Sequence, residues 1–195
     1  MNSLLSPGPQ PSTVKGVVIM SESTLLLDAA AVQRALTRMA HEITERNTDP
    51  ANIVLVGVQS GGVYLAERLG QILSVIWDRP VPVGHLDISM HRDDLEQMMP
   101  NVRPTKIPMD INGKTLVLVD DVLFTGRSTR AALDSLNDFG RPRRVQLAVL
   151  IDRGHRELPI KADFVGKNVP TALRERVNVL LKEIDGQDAV TLEKL

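Results

Sequence analysis

Two adjacent carboxylates, Asp120 and Asp121, follow an unbroken aliphatic run, Leu116, Val117, Leu118 and Val119. After the apolar step Val122, Leu123 and Phe124 come Thr125, Gly126, Arg127, Ser128 and Thr129, and then helix-forming residues 130–136. The aliphatic run reads as a strand buried on both faces, ending at the carboxylates. The small hydroxylated residues then fall at a helix N-terminus, where unpaired N–H groups and the helix dipole favour a phosphate. Gly126 lets the backbone approach closely, and the Thr125, Ser128 and Thr129 hydroxyls add donors. The paired carboxylates suit the opposite task, accepting hydrogen bonds from a sugar diol or holding a metal through water. Phosphate at one end and diol at the other describes a ribose 5-phosphate. The plain alternative is a strand end with a capped helix. The pattern is neither a Walker loop, which needs a lysine after the glycine, nor the three-glycine dinucleotide fingerprint.

The same logic recurs earlier. Residues 53–58, Ile-Val-Leu-Val-Gly-Val, read as a second buried strand, followed by Gln59, Ser60, Gly61 and Gly62 and a helix over about 63–76. A second anion contact at Ser60 and Gly61 fits this order, although glycines at such a turn also serve packing alone.

The elements that must hold these loops can be read along the chain. Its 195 residues make one domain of a size that buries a core without staples. The absence of cysteine excludes disulfides and thiolate metal sites, and a net charge of −1 argues against a uniformly basic nucleic-acid binder. No apolar run reaches membrane-spanning length and no secretory signal pattern opens the chain, so a cytoplasmic protein without membrane contact is expected. Residues 1–15, with Pro7, Pro9 and Pro11, read as a disordered leader ahead of a single domain over 16–195. Residues 17–20 suit a short edge strand. A helix is expected over about 28–46, N-capped by Asp28, with Val32, Ala35, Leu36, Met39, Ala40 and Ile43 as its apolar stripe. Its other face carries Arg34, Thr37, Arg38, His41 and Glu45, which on residue type alone is a solvated surface.

Residues 83–89 suit a third strand. Residues 90–110 lack apolar periodicity and carry Arg92, Asp93 and Asp94 among prolines, the signature of a functional loop. Asn112-Gly113 marks a hairpin turn into the central strand. Further strands are expected at 145–151, 162–167 and 176–184, and the last ten residues as a polar tail. Strands alternating with helices give an α/β domain whose sheet is mostly parallel, flanked by helices, with ligands at the carboxyl ends of the strands.

Residues 119–129 resemble the phosphoribosyl diphosphate signature of the type I phosphoribosyltransferases. The segments Arg34-Ala35-Leu36-Thr37-Arg38-Met39-Ala40-His41-Glu42-Ile43, Arg92-Asp93-Asp94-Leu95 and 152–167 resemble the bacterial pyrimidine-operon attenuation regulators with uracil phosphoribosyltransferase activity. The likeness covers about residues 17–195. It implies the type I phosphoribosyltransferase fold with a flexible lid loop, here 90–110. It also implies a reaction in which uracil and phosphoribosyl diphosphate give UMP and pyrophosphate with Mg²⁺.

On that resemblance Thr125, Gly126, Arg127, Ser128 and Thr129 hold the 5-phosphate, with Val122, Leu123 and Phe124 completing the binding segment. Asp120 and Asp121 take the ribose hydroxyls and, through them, Mg²⁺. Ser60 and Gly61 meet the pyrophosphate, and Arg92 neutralises it as it departs. Relatives using 6-oxopurines carry an acid at the position of Phe124, so a phenylalanine there favours uracil. The base is placed near Arg153, Phe164, Val165 and Val177. The resemblance further implies binding of pyrimidine-operon leader mRNA when UMP or UTP is bound, through Thr37, Arg38, His41, Arg156, Lys161 and Lys167, and assembly at least to a homodimer. One departure stands out: close relatives have Thr-Arg-Gly where this chain has Ser60-Gly61-Gly62. The loss of that arginine favours a rival reading, a non-catalytic nucleotide-sensing RNA regulator. A phosphoribosyltransferase for another base is the second rival.

Overall fold

The computed structural model describes residues 23–91 and 104–194. The leader, the expected strand at 17–20 and the central part of the loop, including Arg92, lie outside the described residues. Strands β2 (Ile53–Val58), β3 (Val83–Leu86), β4 (Thr115–Leu123), β5 (Arg144–Asp152) and β6 (Phe164–Asn168) form a parallel sheet in the order β3-β2-β4-β5-β6. Parallel neighbours need covered faces, which explains why β2 is buried at every position.

Helices α1 (Ala29–Arg46) and α2 (Gly61–Ile76) cover one face, with Leu36, Met39 and Ile43 meeting Leu65, Leu69 and Leu73 in one core. Helix α3 (Arg127–Leu136) covers the other, setting Ala131, Ala132 and Leu136 against Val54, Leu116, Leu118 and Val149. The α1 stripe is buried as its spacing predicts, and Asp28 caps the helix by accepting from the Ala31 N–H at 2.7 Å.

The C-terminal part of the chain differs from expectation. The strand read over 176–184 is shorter, β7 (Glu175–Leu180), and is followed by a one-turn helix, α4 (Lys182–Asp185). The polar tail is a strand, β8 (Ala189–Lys194). It pairs with β7 and with an N-terminal strand that the sequence reading missed, β1 (Ser23–Leu27), in a separate antiparallel sheet ordered β1-β8-β7. This small sheet adds Leu27, Val177 and Val190 to the core beneath α1 and α2, and Leu181 follows β7 into it. Asn112-Gly113 is a turn, with Gly113 at φ +68°, but not a hairpin, because both neighbours of β4 are parallel to it.

Candidate active site

The sheet brings the C-terminal ends of β2 to β5 to one edge. β4 does not stop at its carboxylates. It runs on to Leu123, with Val122 opposite Ile151 and Leu123 opposite Asp152. Asp120 and Asp121 therefore sit within the last turn of pleat rather than after it. Pairing with β2 ends at Gly57–Val119. Beyond that point the Asp121 N–H donates to Asp120 Oδ1 at 2.9 Å and the Val122 N–H to Asp121 Oδ1 at 2.7 Å. Asp120 is buried and Asp121 half-buried.

The turn after β2 presses directly on this pair. A β-carbon on Gly61 would lie 2.6 Å from Asp121 Oδ2, and one on Gly62 only 2.3 Å from the Val119 carbonyl oxygen. These glycines are required by close approach, and they set the first turn of α2 beside the carboxylates. The peptide bond between Gln59 and Ser60 is cis.

On the other side of the carboxylates, Gly126 at φ +93° turns the chain into α3, and Arg130 N–H donates to its carbonyl at 2.9 Å as the first helical bond. The N–H groups of the first helical turn lack intrahelical acceptors. The loop is covered by the segment after β5. Glu157 and Leu158 N–H groups donate to the Thr125 carbonyl at 3.0 and 3.2 Å, Arg153 N–H to that of Leu123 at 3.1 Å, and Ile160 packs against Gly126.

Arg153 lies at this same edge, buried. It donates from Nε to Thr171 Oγ1 and from Nη2 to the Ala172 carbonyl, both at 3.1 Å, and its guanidinium stacks 4.1 Å over the Phe124 ring. His155 meets the same ring edge-on, with centroids 6.1 Å apart. Burial pushes the Arg153 pKa below its ordinary value, against the field of Glu175. β7, which carries Val177, comes against β4 beside this cluster.

One expected base contact, Phe164, is corrected. Phe164 is 1 % exposed and belongs to the core, at the start of β6 opposite Ala148 and therefore away from the strand ends. Val165, the next residue, packs with the α3-side core beside Ile160. Phe164 therefore does not open onto the edge where Asp120, Asp121 and Arg153 meet.

The residues expected to face RNA divide into two groups. Arg38, exposed on α1, donates to the Val165 carbonyl at 3.0 Å and to that of Gly166, and Lys167 Nζ donates to the Leu26 carbonyl at 3.1 Å. Thr37 and His41 continue the α1 face, and Lys161 is exposed ahead of β6. Arg156 instead points inward, to the carbonyls of Leu123 and Phe124. Sequence reasoning also missed Arg68, which bridges α2 to Glu183 and Asp188 around α4. Nothing in its helical spacing signals partners more than a hundred residues away.

A parallel sheet that gathers a helix start, an acidic pair and a glycine turn at one edge is the arrangement of a phosphoribosyltransferase. The family model described as phosphoribosyl transferase domain matches residues 23–176. Within that class the chain belongs to the bifunctional PyrR family. It is 58% identical over 175 residues to a bifunctional protein PyrR of Chloroflexus aurantiacus, covering 89% of this chain and 96% of that one. It is 55% identical over 169 residues to one of Thermus aquaticus, covering 86% and 93%. Among solved structures, a hypoxanthine-guanine phosphoribosyltransferase of Bacillus anthracis shares the fold at TM-score 0.67 and 16% identity, covering 91% of this chain and 100% of that one. A hypoxanthine phosphoribosyltransferase of Trypanosoma cruzi does so at 0.66 and 19% identity, covering 88% and 97%.

Proposed function

We propose that the chain transfers the phosphoribosyl group of phosphoribosyl diphosphate to uracil, giving UMP and pyrophosphate. We further propose that it binds leader mRNA of pyrimidine-biosynthetic operons in response to UMP or UTP. The observation that carries the reading is the convergence at one edge of the Gly61 turn, the Asp120-Asp121 pair and the Gly126 helix start. The spacing suits pyrophosphate, ribose diol and 5-phosphate in that order.

In the reaction the bond between uracil N1 and ribose C1 forms as the bond from C1 to the pyrophosphate oxygen breaks, and the N1 proton leaves to solvent. Positive charge develops on the ribose, so the chain's main contribution is to position the partners and exclude water. The α3 N-terminus fixes the 5-phosphate, and the carboxylates orient the diol. Asp120 and Asp121 each spend one carboxylate oxygen on a neighbouring backbone N–H. That arrangement fits Mg²⁺, which takes one or two carboxylates and completes its shell with substrate oxygens and water. When bound, the ion neutralises the departing pyrophosphate. Arg153, stacked on Phe124, forms the platform for the base.

Arg38, Lys167, Thr37, His41 and Lys161 supply the RNA contacts, with the cations meeting phosphates and Thr37 and His41 the sugar or base edges. The subunits form at least a homodimer, and the protein works in the cytoplasm. Among the described residues, no helix is long and apolar enough to cross a membrane. The test is a panel of radiolabelled uracil, hypoxanthine and guanine, with phosphoribosyl diphosphate, with and without Mg²⁺. Mg²⁺-dependent UMP formation is expected; purine use or no turnover with any base contradicts the reading. The substitution of Gly61 for an arginine near the pyrophosphate favours the second reading, a nucleotide sensor without turnover, and the same panel decides it.

A further inference from the structure

The opposite end of the sheet carries a charged recess that the phosphoribosyl chemistry does not use. The α1 C-terminus, the turn before β2 and the starts of β4 and β5 surround about 210 Å³, lined by Arg46, Asn47, Asn52, Thr115, Arg143 and Arg144. Along β4 the recess lies about 20 Å from the acidic pair, at the usual rise of a strand. Arg46 has a structural task. It donates to Asp163 Oδ1 at 2.8 Å, and its guanidinium carbon lies 5.2 Å from the centre of the Phe164 ring. Asn47 caps α1, donating to the Ile43 carbonyl from its N–H at 3.1 Å and from Nδ2 at 2.9 Å. Asp49, the one carboxylate in the lining, accepts from Asn52 Nδ2 at 2.7 Å. Arg143 and Arg144 are exposed, and among the described residues neither guanidinium has a hydrogen bond or a carboxylate partner. Gln146 stands one pleat inward of Arg144, on the face shared with Ala148 and Leu150, and is buried with its Oε1 unpaired.

We propose that this recess is a second anion site, taking a compact polyphosphate: pyrophosphate or the triphosphate chain of a nucleotide. The site is independent of the chemistry at the opposite edge. In a chain of net charge −1, three guanidiniums share one small recess with a single carboxylate. Protein walls around like charges concentrate their field, and each guanidinium brings a fork of N–H donors that matches phosphate oxygens. The α1 C-terminus does not account for them, because Arg46 complements its negative end and Asn47 satisfies its carbonyls. Arg143 and Arg144 are therefore surplus to the fold. Thr115 adds a hydroxyl, and Gln146 continues the polar lining inward where a core side chain would otherwise stand. The lining holds no aromatic ring, and its one aliphatic, Ile53, is buried, so nothing in it engages a base. An RNA backbone spreads one charge per phosphate along an extended chain. Cations gathered around so small a volume suit several charges on adjacent phosphates instead.

The experiment titrates pyrophosphate, ATP, adenosine and sulfate, without Mg²⁺, into the full chain and into the double variant Arg143→Gln/Arg144→Gln. Amide spectra locate the binding, and calorimetry gives its strength. In the wild type, pyrophosphate and ATP are expected to shift the amides of Asn52, Thr115 and Arg144, whereas adenosine shifts none and sulfate binds more weakly. The double variant should weaken that binding about tenfold or more while its melting temperature and uracil turnover stay at wild-type values. Recess amides that do not move, or that move equally in the double variant, overturn the proposal, as does sulfate binding as tightly as pyrophosphate. Leader RNA affinity at fixed salt is the last arm. If it falls in the double variant while pyrophosphate leaves the recess amides unmoved, the arginines serve RNA and the proposal fails. Should the double variant not fold, Arg144→Gln alone carries the same comparison. Shifts confined to residues 125–129 would support the phosphoribosyl site and overturn this one, whereas shifts at the recess without uracil turnover would do the reverse.

Discussion

Gly61 faces the carboxylate of Asp121 so closely that a β-carbon there would sit 2.6 Å from Oδ2. The atom in the way is the end of a side chain, so Gly61→Ala displaces the Asp121 carboxylate rather than the backbone. Its expected effect is a loss of about tenfold in kcat, or about 1.4 kcal/mol in the barrier, with an almost unchanged melting temperature. Gly62→Ala is different in kind, because the obstacle is the Val119 backbone carbonyl at 2.3 Å. It should cost stability, about 1–3 kcal/mol as overpacking does. Steady-state kinetics beside thermal melts separate the two.

The acidic pair itself gives a sharper expectation. Replacing Asp120 and Asp121 together by Asn keeps the shape of the edge and removes both charges. Turnover should fall at least about a hundredfold, since charge-assisted contacts to diol and metal are worth ~3 kcal/mol in the transition state. Near wild-type activity in the double variant would remove these residues from the site.

Arg68 anchors the small sheet to α2 by donating to Glu183 at 2.8 Å and to Asp188 at 3.0 and 2.8 Å. Its hydrogen bonds hold both carboxyls below their ordinary pKa, and they in turn raise its own. Depressed carboxylates stabilise the fold fully above the ordinary carboxylate range, about pH 4, and lose that contribution as pH falls through the lowered values. The raised guanidinium contributes fully below its ordinary value, so no loss appears on the alkaline side within working pH. Arg68→Ala should cost about 2 kcal/mol at neutral pH, discounted for the partial exposure of Glu183, and should flatten the acid limb of a stability profile. Urea denaturation from pH 7 down to pH 3 checks both.

Lys167 gives the cleanest test of the RNA face, since it is exposed and donates to a backbone carbonyl, that of Leu26 at 3.1 Å. Lys167→Ala should weaken leader RNA binding across sequences and reduce the slope of log affinity against log salt by about one unit. Uracil turnover should stay at the wild-type rate. A salt slope equal to wild type would show that Lys167 meets no phosphate.

The parallel sheet and its ligand edge were legible because their signals are local. The aliphatic runs at 53–58 and 116–119 and the glycine turn into α2 all announce themselves within a few residues. What escaped depends on distant partners. β1 and β8 come from opposite ends of the chain, and the run Ala189-Val190-Thr191-Leu192 is too short to distinguish from a tail without its neighbours. Asp120 and Asp121 looked like a strand end because charge usually terminates a buried strand. They lie within it because β5 continues alongside to Asp152. Phe164 was expected near the base on the family resemblance, yet its place at the start of β6 commits it to the core. Arg156 carried an RNA expectation from the family resemblance, which says nothing of the carbonyls of Leu123 and Phe124 arranged around it.

The account holds that one nucleotide site serves both synthesis and sensing, with the segment after β5 joining the phosphate loop to the RNA face. The most direct measurement is leader RNA affinity at fixed salt without ligand, with UMP and with GMP as a size-matched control. UMP should tighten RNA binding by an amount equivalent to ~1–3 kcal/mol, and RNA should tighten UMP binding by the same factor, as linkage requires. Equal RNA affinity in all three conditions would contradict the account, leaving an enzyme with a basic patch and no switch.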